Sequence, residues 1–134
     1  MSSKITRAAA VLTLLVSALS GVNAAAATSA NSLGSCDHAK KYQHAIVPAL
    51  GSGVDCLLAV GNTGEGVRAL QLTLRKCYGS TITADGIFGP ATRDALKYAQ
   101  RQAGTQGDGV YGPNTRRAIK HRPSNWPYGC QRVR

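Results

Sequence analysis

"DGIFGPATRDALK" at residues 85–97 and "DGVYGPNTRRAIK" at 108–120 are nearly one phrase written twice, 23 residues apart. Asp, Gly, Gly, Pro, Thr, Arg, Ala and Lys recur in step, and Ile/Val, Phe/Tyr and Leu/Ile are conservative exchanges. Only Ala91/Asn114 and Asp94/Arg117 differ in character. Each copy reads as a tight Asp-Gly turn, an apolar–aromatic pair tucked inward (Ile87-Phe88, Val110-Tyr111) and a helix launched by Gly-Pro. Proline suits the first helical position because the amide proton it lacks has no helical partner there, and the preceding glycine can serve as the cap. The repeat is first a folding device: two helices entered through the same corner.

Outward from the repeat, Val67, Leu70, Leu74 and Cys77 fall at i, i+3, i+7 and i+10, which predicts a helix from near Gly66. Gln71 lies beside that stripe, and Gly79 ends the helix by taking the left-handed conformation. A second helix runs through "TRDALKYAQRQA" with Ala95, Leu96, Ala99 and Ala103 on its buried side, and Gly104 stops it. The third begins at Pro113 and is short, because Pro123 cannot continue it. Residues 28–63 read as an irregular extension rich in Gly, Ser, Pro and Asn, with "AIVPAL" and "CLLAV" as extended pieces against the core. The fold class expected is all-α: a small three-helix domain over 64–122, a disulfide-tethered irregular segment before it, and a C-terminal clasp over 123–134. In that clasp "RPSNWPYGC" packs Trp126 over the helices.

The ends and the charge bound the setting. Lys4 and Arg7 precede the apolar run "AAAVLTLLVSAL" and the small-residue stretch "GVNAAAATSA", the pattern of a secretory signal cleaved near Ala24–Ala27, over residues 1–27. The run is shorter than the ~20 residues of a membrane span. Export places the cysteines in an oxidising compartment, so Cys36, Cys56, Cys77 and Cys130 read as two disulfides with three pairings open. A zinc site at Cys36, His38 and His44 lacks the usual ligand spacing. After the signal, fourteen basic residues face six acidic ones, a net charge of +8. That balance suits an anionic surface such as wall polymer, while export argues against nucleic acid.

The series Gly64, Val67, Leu70-Gln71, Leu74, Gly79, Asp85-Gly86, Phe88-Gly89-Pro90, Thr92, Ala95 and Gly104 strongly resembles the peptidoglycan-binding-like domain, over about 64–120. That family is a three-helix module often attached to bacterial wall hydrolases. The family usually has an aromatic residue before the second-helix Gln; here that slot is Ala99, with Tyr98 one position earlier and about 100° around the helix. The missing volume falls to Tyr98, Trp126 or the N-terminal segment, or else leaves a hollow. By resemblance to a related wall peptidase module, Cys56 is expected to pair with Cys130, and Cys36 with Cys77.

The resemblance implies a binder of peptidoglycan, secreted by the signal pattern; the histidines and serines form no nucleophile arrangement and no cofactor or metal pattern is present, so no enzyme, cofactor or metal is expected. Wall hydrolases are possible partners, and no membrane contact is expected after signal cleavage. Candidate ligand-binding residues are Asp85, Gly89 and Arg93 in the first copy, Asp108, Tyr111, Gly112 and Arg116 in the second, and Trp126. The helix starts would offer backbone N–H groups to an anion and the arginines could grip a carboxylate, while Tyr111, Trp126 and Tyr128 could stack on sugar. Asp85 and Asp108 are tempting as a glycosidase pair, but Asp-Gly turns ordinarily occupy such side chains with backbone hydrogen bonds. The runner-up function is an exported interaction partner or inhibitor of a wall enzyme.

Overall fold

The computed structural model describes residues 33–134, which form one compact unit; the expected signal sequence lies outside the described residues. The order of elements is β1 (His38–Tyr42), β2 (Ala45–Ala49), α1 (Glu65–Tyr78), α2 (Pro90–Gln102) and α3 (Pro113–Ala118). The fold is therefore not all-α. A two-stranded antiparallel hairpin, with Tyr42 opposite Ala45 and His38 opposite Ala49, precedes the helices. The extended reading of "AIVPAL" holds, since it contains β2. What the sequence concealed is β1, "HAKKY", a half-exposed edge strand with adjacent lysines and no alternating pattern of apolar residues.

The hairpin turns through Gln43 and His44, both at positive φ (48° and 63°), a conformation that usually calls for Asn or Gly. The C-terminal tail holds it there. The Gln131 side chain donates to the Gln43 carbonyl, the Arg134 amide to the Gln43 side chain, and the Ser124 amide to the His44 carbonyl. Tyr128 stacks on His44 at 4.5 Å between ring centres. Val133 is buried with Ala45 and Val47 in a small second core. The tail is thus a clasp, but a different one from that expected, because Trp126 is 91% exposed and packs over nothing.

The main core gathers Val67, Leu70 and Leu74 from α1, Leu96 and Ala99 from α2, Ile119 after α3, and Phe88 and Tyr111 from the two corners. Only the aromatic member of each corner pair turns inward. Ile87 and Val110 remain 58% and 38% exposed, because successive residues of extended chain face opposite ways. Cys36, Cys56 and Leu58 belong to the same cluster, so the N-terminal segment helps to build the core of the helical repeat. Contact is closest at Gly66, where an added Cβ would lie 2.4 Å from the Cys36 carbonyl oxygen. Neither Tyr98 nor Trp126, both at the surface, fills the space beside Ala99.

α1 ends at Gly79 (φ 67°), with the Ser80 amide reaching back to the Leu74 carbonyl. Gly89 and Gly112 cap α2 and α3 without a side-chain bond, and Pro90 and Pro113 occupy the first helical positions. α3 stops at Ala118, well before Pro123. Ile119 is already extended (ψ 157°), which sends its side chain into the core and the chain onward to pair His121 with Gln131. Burial of Ile119, not the proline, sets that boundary.

The disulfides are Cys36–Cys56 and Cys77–Cys130, which corrects the expected pairing of Cys56 with Cys130 and Cys36 with Cys77. The reason lies in backbone pairing. The Cys36 amide donates to the Leu57 carbonyl and the Leu57 amide to the Gly34 carbonyl, setting Cys36 beside Cys56. Cys77, in the last turn of α1, is left to the returning tail.

Candidate functional site

Each corner is organised by a buried glutamine from the preceding helix. Gln71 of α1 donates through Nε2 toward Asp85 Oδ1 (3.1 Å), the Ile87 carbonyl (2.9 Å) and Thr92 Oγ1 (3.0 Å), and its Oε1 accepts the Gly86 amide (2.8 Å). Gln100 of α2 repeats this wiring with Asp108 Oδ1 (2.7 Å), the Val110 carbonyl (2.9 Å), Thr115 Oγ1 (2.9 Å) and the Gly109 amide (2.9 Å). One amide group thereby ties a helix, the turn after it and the start of the next helix. The repeat had not exposed the pair. Gln71 precedes its aspartate by 14 residues and Gln100 by only 8, so a 23-residue shift aligns Gln71 with Asp94.

Asp85 and Asp108 complete the corners. Each accepts, at 2.9 Å, the amide two residues on, from Ile87 and Val110. The Ile87 amide first, then Gln71, hold the Asp85 carboxyl below the usual range. That is the reverse of what a general acid needs. Asp85 and Gly89 also line a shallow hollow of about 220 Å³ beside Thr92.

The matched arginines of the repeat have parted company. Arg93 lies at the surface, pairs with Asp94 (3.1 Å) and passes over the second corner, where a Cβ on Gly109 would meet its Cγ at 2.6 Å. Arg116 is only 3% exposed, pairs with Asp55 (2.9 Å) and sits 5.7 Å from the centre of the Tyr42 ring. It is a structural cation and offers no fork to a ligand. Tyr111 is wholly buried and cannot stack on sugar; burial drives its phenol pKa far upward. Gly112 approaches Leu57, whose Cδ2 an added Cβ would meet at 3.1 Å. Of the eight candidates, Asp85 and Gly89 share a hollow and Trp126 is fully presented to solvent, whereas Tyr111 and Arg116 belong to the interior.

Around Tyr111 lies a polar knot. His121 is buried, its Nε2 lies 3.0 Å from the Arg116 carbonyl, and its ring meets Tyr111 edge-on at 6.1 Å. Burial pushes the His121 pKa down to about 4. The Tyr111 hydroxyl, Arg116 Nη1 and His121 Nδ1 have no hydrogen-bond partner among the described residues.

Further concave surface lies along α2. A hollow of about 340 Å³ is lined by Tyr78, Tyr98, Gln102, Lys120 and Arg132. A second, of about 430 Å³, shares Tyr78 and Tyr98 and continues along Ser80, Ile82 and Ala91. Ile82 and Ala91 also border the hollow of Asp85 and Gly89, so the three hollows lie side by side as a shallow trough. Four separate stretches of chain supply its walls, which is why spacing along the sequence did not reveal it. All four cysteines are in disulfides and hold no metal, and the described residues contain no group of three or more His, Cys, Asp or Glu able to bind one.

These features define a small, disulfide-braced repeat module, two corners built on one plan with a surface trough along the helix between them. Residues 63–119 match the family model described as "Putative peptidoglycan binding domain", the family that the sequence resembles. No curated protein and no solved structure matches the chain.

Proposed function

We propose that this protein is an exported, non-catalytic module that binds the peptidoglycan of a bacterial cell wall. The observation that carries the reading is the family match over both corners and all three helices, residues 63–119. Two disulfides bracing so small a unit fit an oxidising compartment, and the net positive charge fits an anionic polymer. A passive role is supported by the carboxylates. Asp85 and Asp108 are held in their turns, Asp55 and Asp94 pair with Arg116 and Arg93, and Glu65 and Asp37 lie beside Arg68 and His38. A glycosidase acid has to stay protonated near neutrality, and the Ile87 amide and Gln71 hold the Asp85 carboxyl the other way, below the usual range.

A second reading, an exported partner or inhibitor of a wall enzyme, is favoured by Trp126, which stands 91% exposed outside the matched segment. Co-sedimentation of the mature, oxidised protein with acid-stripped sacculi, across salt concentrations, tests both. Retention that survives moderate salt supports the first. Retention only when a wall hydrolase is added supports the second. Loss at modest salt with equal capture by DNA reduces the behaviour to charge alone. Release of soluble muropeptides would overturn the non-catalytic part.

A further inference from the structure

We propose that the hollow between Tyr78 and Tyr98 is a subsite for an amino sugar that carries a carboxylate, with Tyr98 against the ring face and Lys120 and Arg132 receiving the charge. The inference rests on the wall-binding reading and names the site and ligand chemistry within it.

Four stretches of chain converge here: the end of α1 (Tyr78), the outer face of α2 (Tyr98, Gln102), the residue pair after α3 (Lys120) and the tail (Arg132). Covalent and hydrogen bonds fix the convergence. Cys77 at its edge is bonded to Cys130 two residues before Arg132, and the Lys120 amide donates to the Tyr78 hydroxyl at 2.7 Å. The subsite is thus formed before any ligand arrives, which lowers the entropic cost of binding.

Charge selects the ligand. Two cationic residues line the hollow and no carboxylate does, while every acidic residue of the described chain has a partner elsewhere. Burial pushes the Tyr78 pKa up, opposed first by the Lys120 amide and then by the Arg132 charge. Tyr98 adds the second criterion. It is 48% exposed and lies outside the core that Ala99, its neighbour, enters. A tyrosine held at the rim of a concavity offers a flat apolar face with a polar tip, which suits a sugar ring. The volume of about 340 Å³ lies at the small end of ligand pockets and matches a sugar unit rather than a long peptide.

The test is a ¹⁵N–¹H NMR titration of the mature, oxidised protein with four probes. These are a peptide-free disaccharide of N-acetylglucosamine and N-acetylmuramic acid, an uncharged N-acetylglucosamine tetramer, a stem peptide with a free carboxylate, and glycerol phosphate. The expected result is strongest binding of the muramic disaccharide, with shifts at Tyr78, Tyr98, Lys120 and Arg132. Arg132→Gln should weaken that probe about tenfold and leave the uncharged tetramer unaffected, as loss of one charge-assisted contact would. Tyr98→Ala should weaken both sugars by roughly 2–10-fold. Equal binding of charged and uncharged sugars, preference for the peptide or for glycerol phosphate, shifts confined to other surfaces, or no binding of the disaccharide would each overturn the proposal. Because the shifts are read on the unaltered protein, a variant that fails to fold does not rescue it. If both variants still sediment as the parent does with sacculi stripped of their stem peptides by an amidase, which frees the muramic carboxylates, wall binding stands and this subsite falls.

Discussion

Replacing Gln71 by leucine, a side chain of similar size, removes a hydrogen-bonding hub while keeping the volume. Of the four groups it serves, Asp85 and Ile87 lie at the surface and can turn to water, whereas Gly86 and Thr92 are buried. Two buried polar groups are therefore left without that partner, at ~1–3 kcal/mol each. The extra apolar surface of leucine offsets about 1 kcal/mol. A net loss of about 1–5 kcal/mol follows, or roughly 4–40 °C in Tm for a unit of this size. At the second corner Thr115 Oγ1 also donates to the Val110 carbonyl at 3.0 Å and keeps that bond when Gln100 is removed. Only the Gly109 amide is then left buried without its partner, and with the same leucine offset Gln100→Leu should cost less, about 0–2 kcal/mol. Urea unfolding with both disulfides intact measures the two variants. In Gln71→Leu the Asp85 pKa should also rise, since the Gln71 contact helps to lower it; an NMR titration of that carboxyl reads this directly. A Gln71→Leu loss within 0.5 kcal/mol of zero, or a greater loss at Gln100, would refute the argument that these amides hold the corners.

Further outcomes follow from the polar knot, the ion pair, the disulfides and the exposed tryptophan. The His121 pKa lies at about 4 when folded and at the ordinary 6.5 when not, so the unfolded chain binds the proton first. Its contribution, about 3 kcal/mol, is complete above pH ~6.5 and lost as pH falls toward 4; urea midpoints at pH 7 and 4.5 should show the drop, and His121→Leu should flatten it. Asp55→Asn leaves the Arg116 guanidinium buried without its counter-charge and should cost about 1–3 kcal/mol, below the value for a fully buried pair because Asp55 is half exposed. Opening Cys77–Cys130, which closes 53 residues, should cost about 4 kcal/mol, against about 3 for Cys36–Cys56, which closes 20; the reverse order in thermal melts of the paired Cys→Ala variants would contradict the loop-closure account. Trp126→Ala should leave stability within about 0.5 kcal/mol, as a surface substitution does, and calorimetry checks it.

What the sequence by itself determined are features whose physics is local. The Gly-Pro corners, the stripe from Val67 to Cys77 and the stop at Gly79 could be read because helix periodicity and glycine and proline geometry act over a few residues. The ordered series of these signals also sufficed for the family, which residues 63–119 bear out. Tertiary structure decided whatever depends on partners distant along the chain. β1 exists because β2 and the tail support it, the disulfides follow the Cys36–Leu57 pairing, and α3 ends where Ile119 is needed in the core. It also gave the twin arginines different fates, because Asp55 meets Arg116 inside while Arg93 stays at the surface. The trough of Tyr78 and Tyr98 has the same origin: burial and concavity are properties of neighbours, and no local pattern encodes which distant neighbours a side chain will meet.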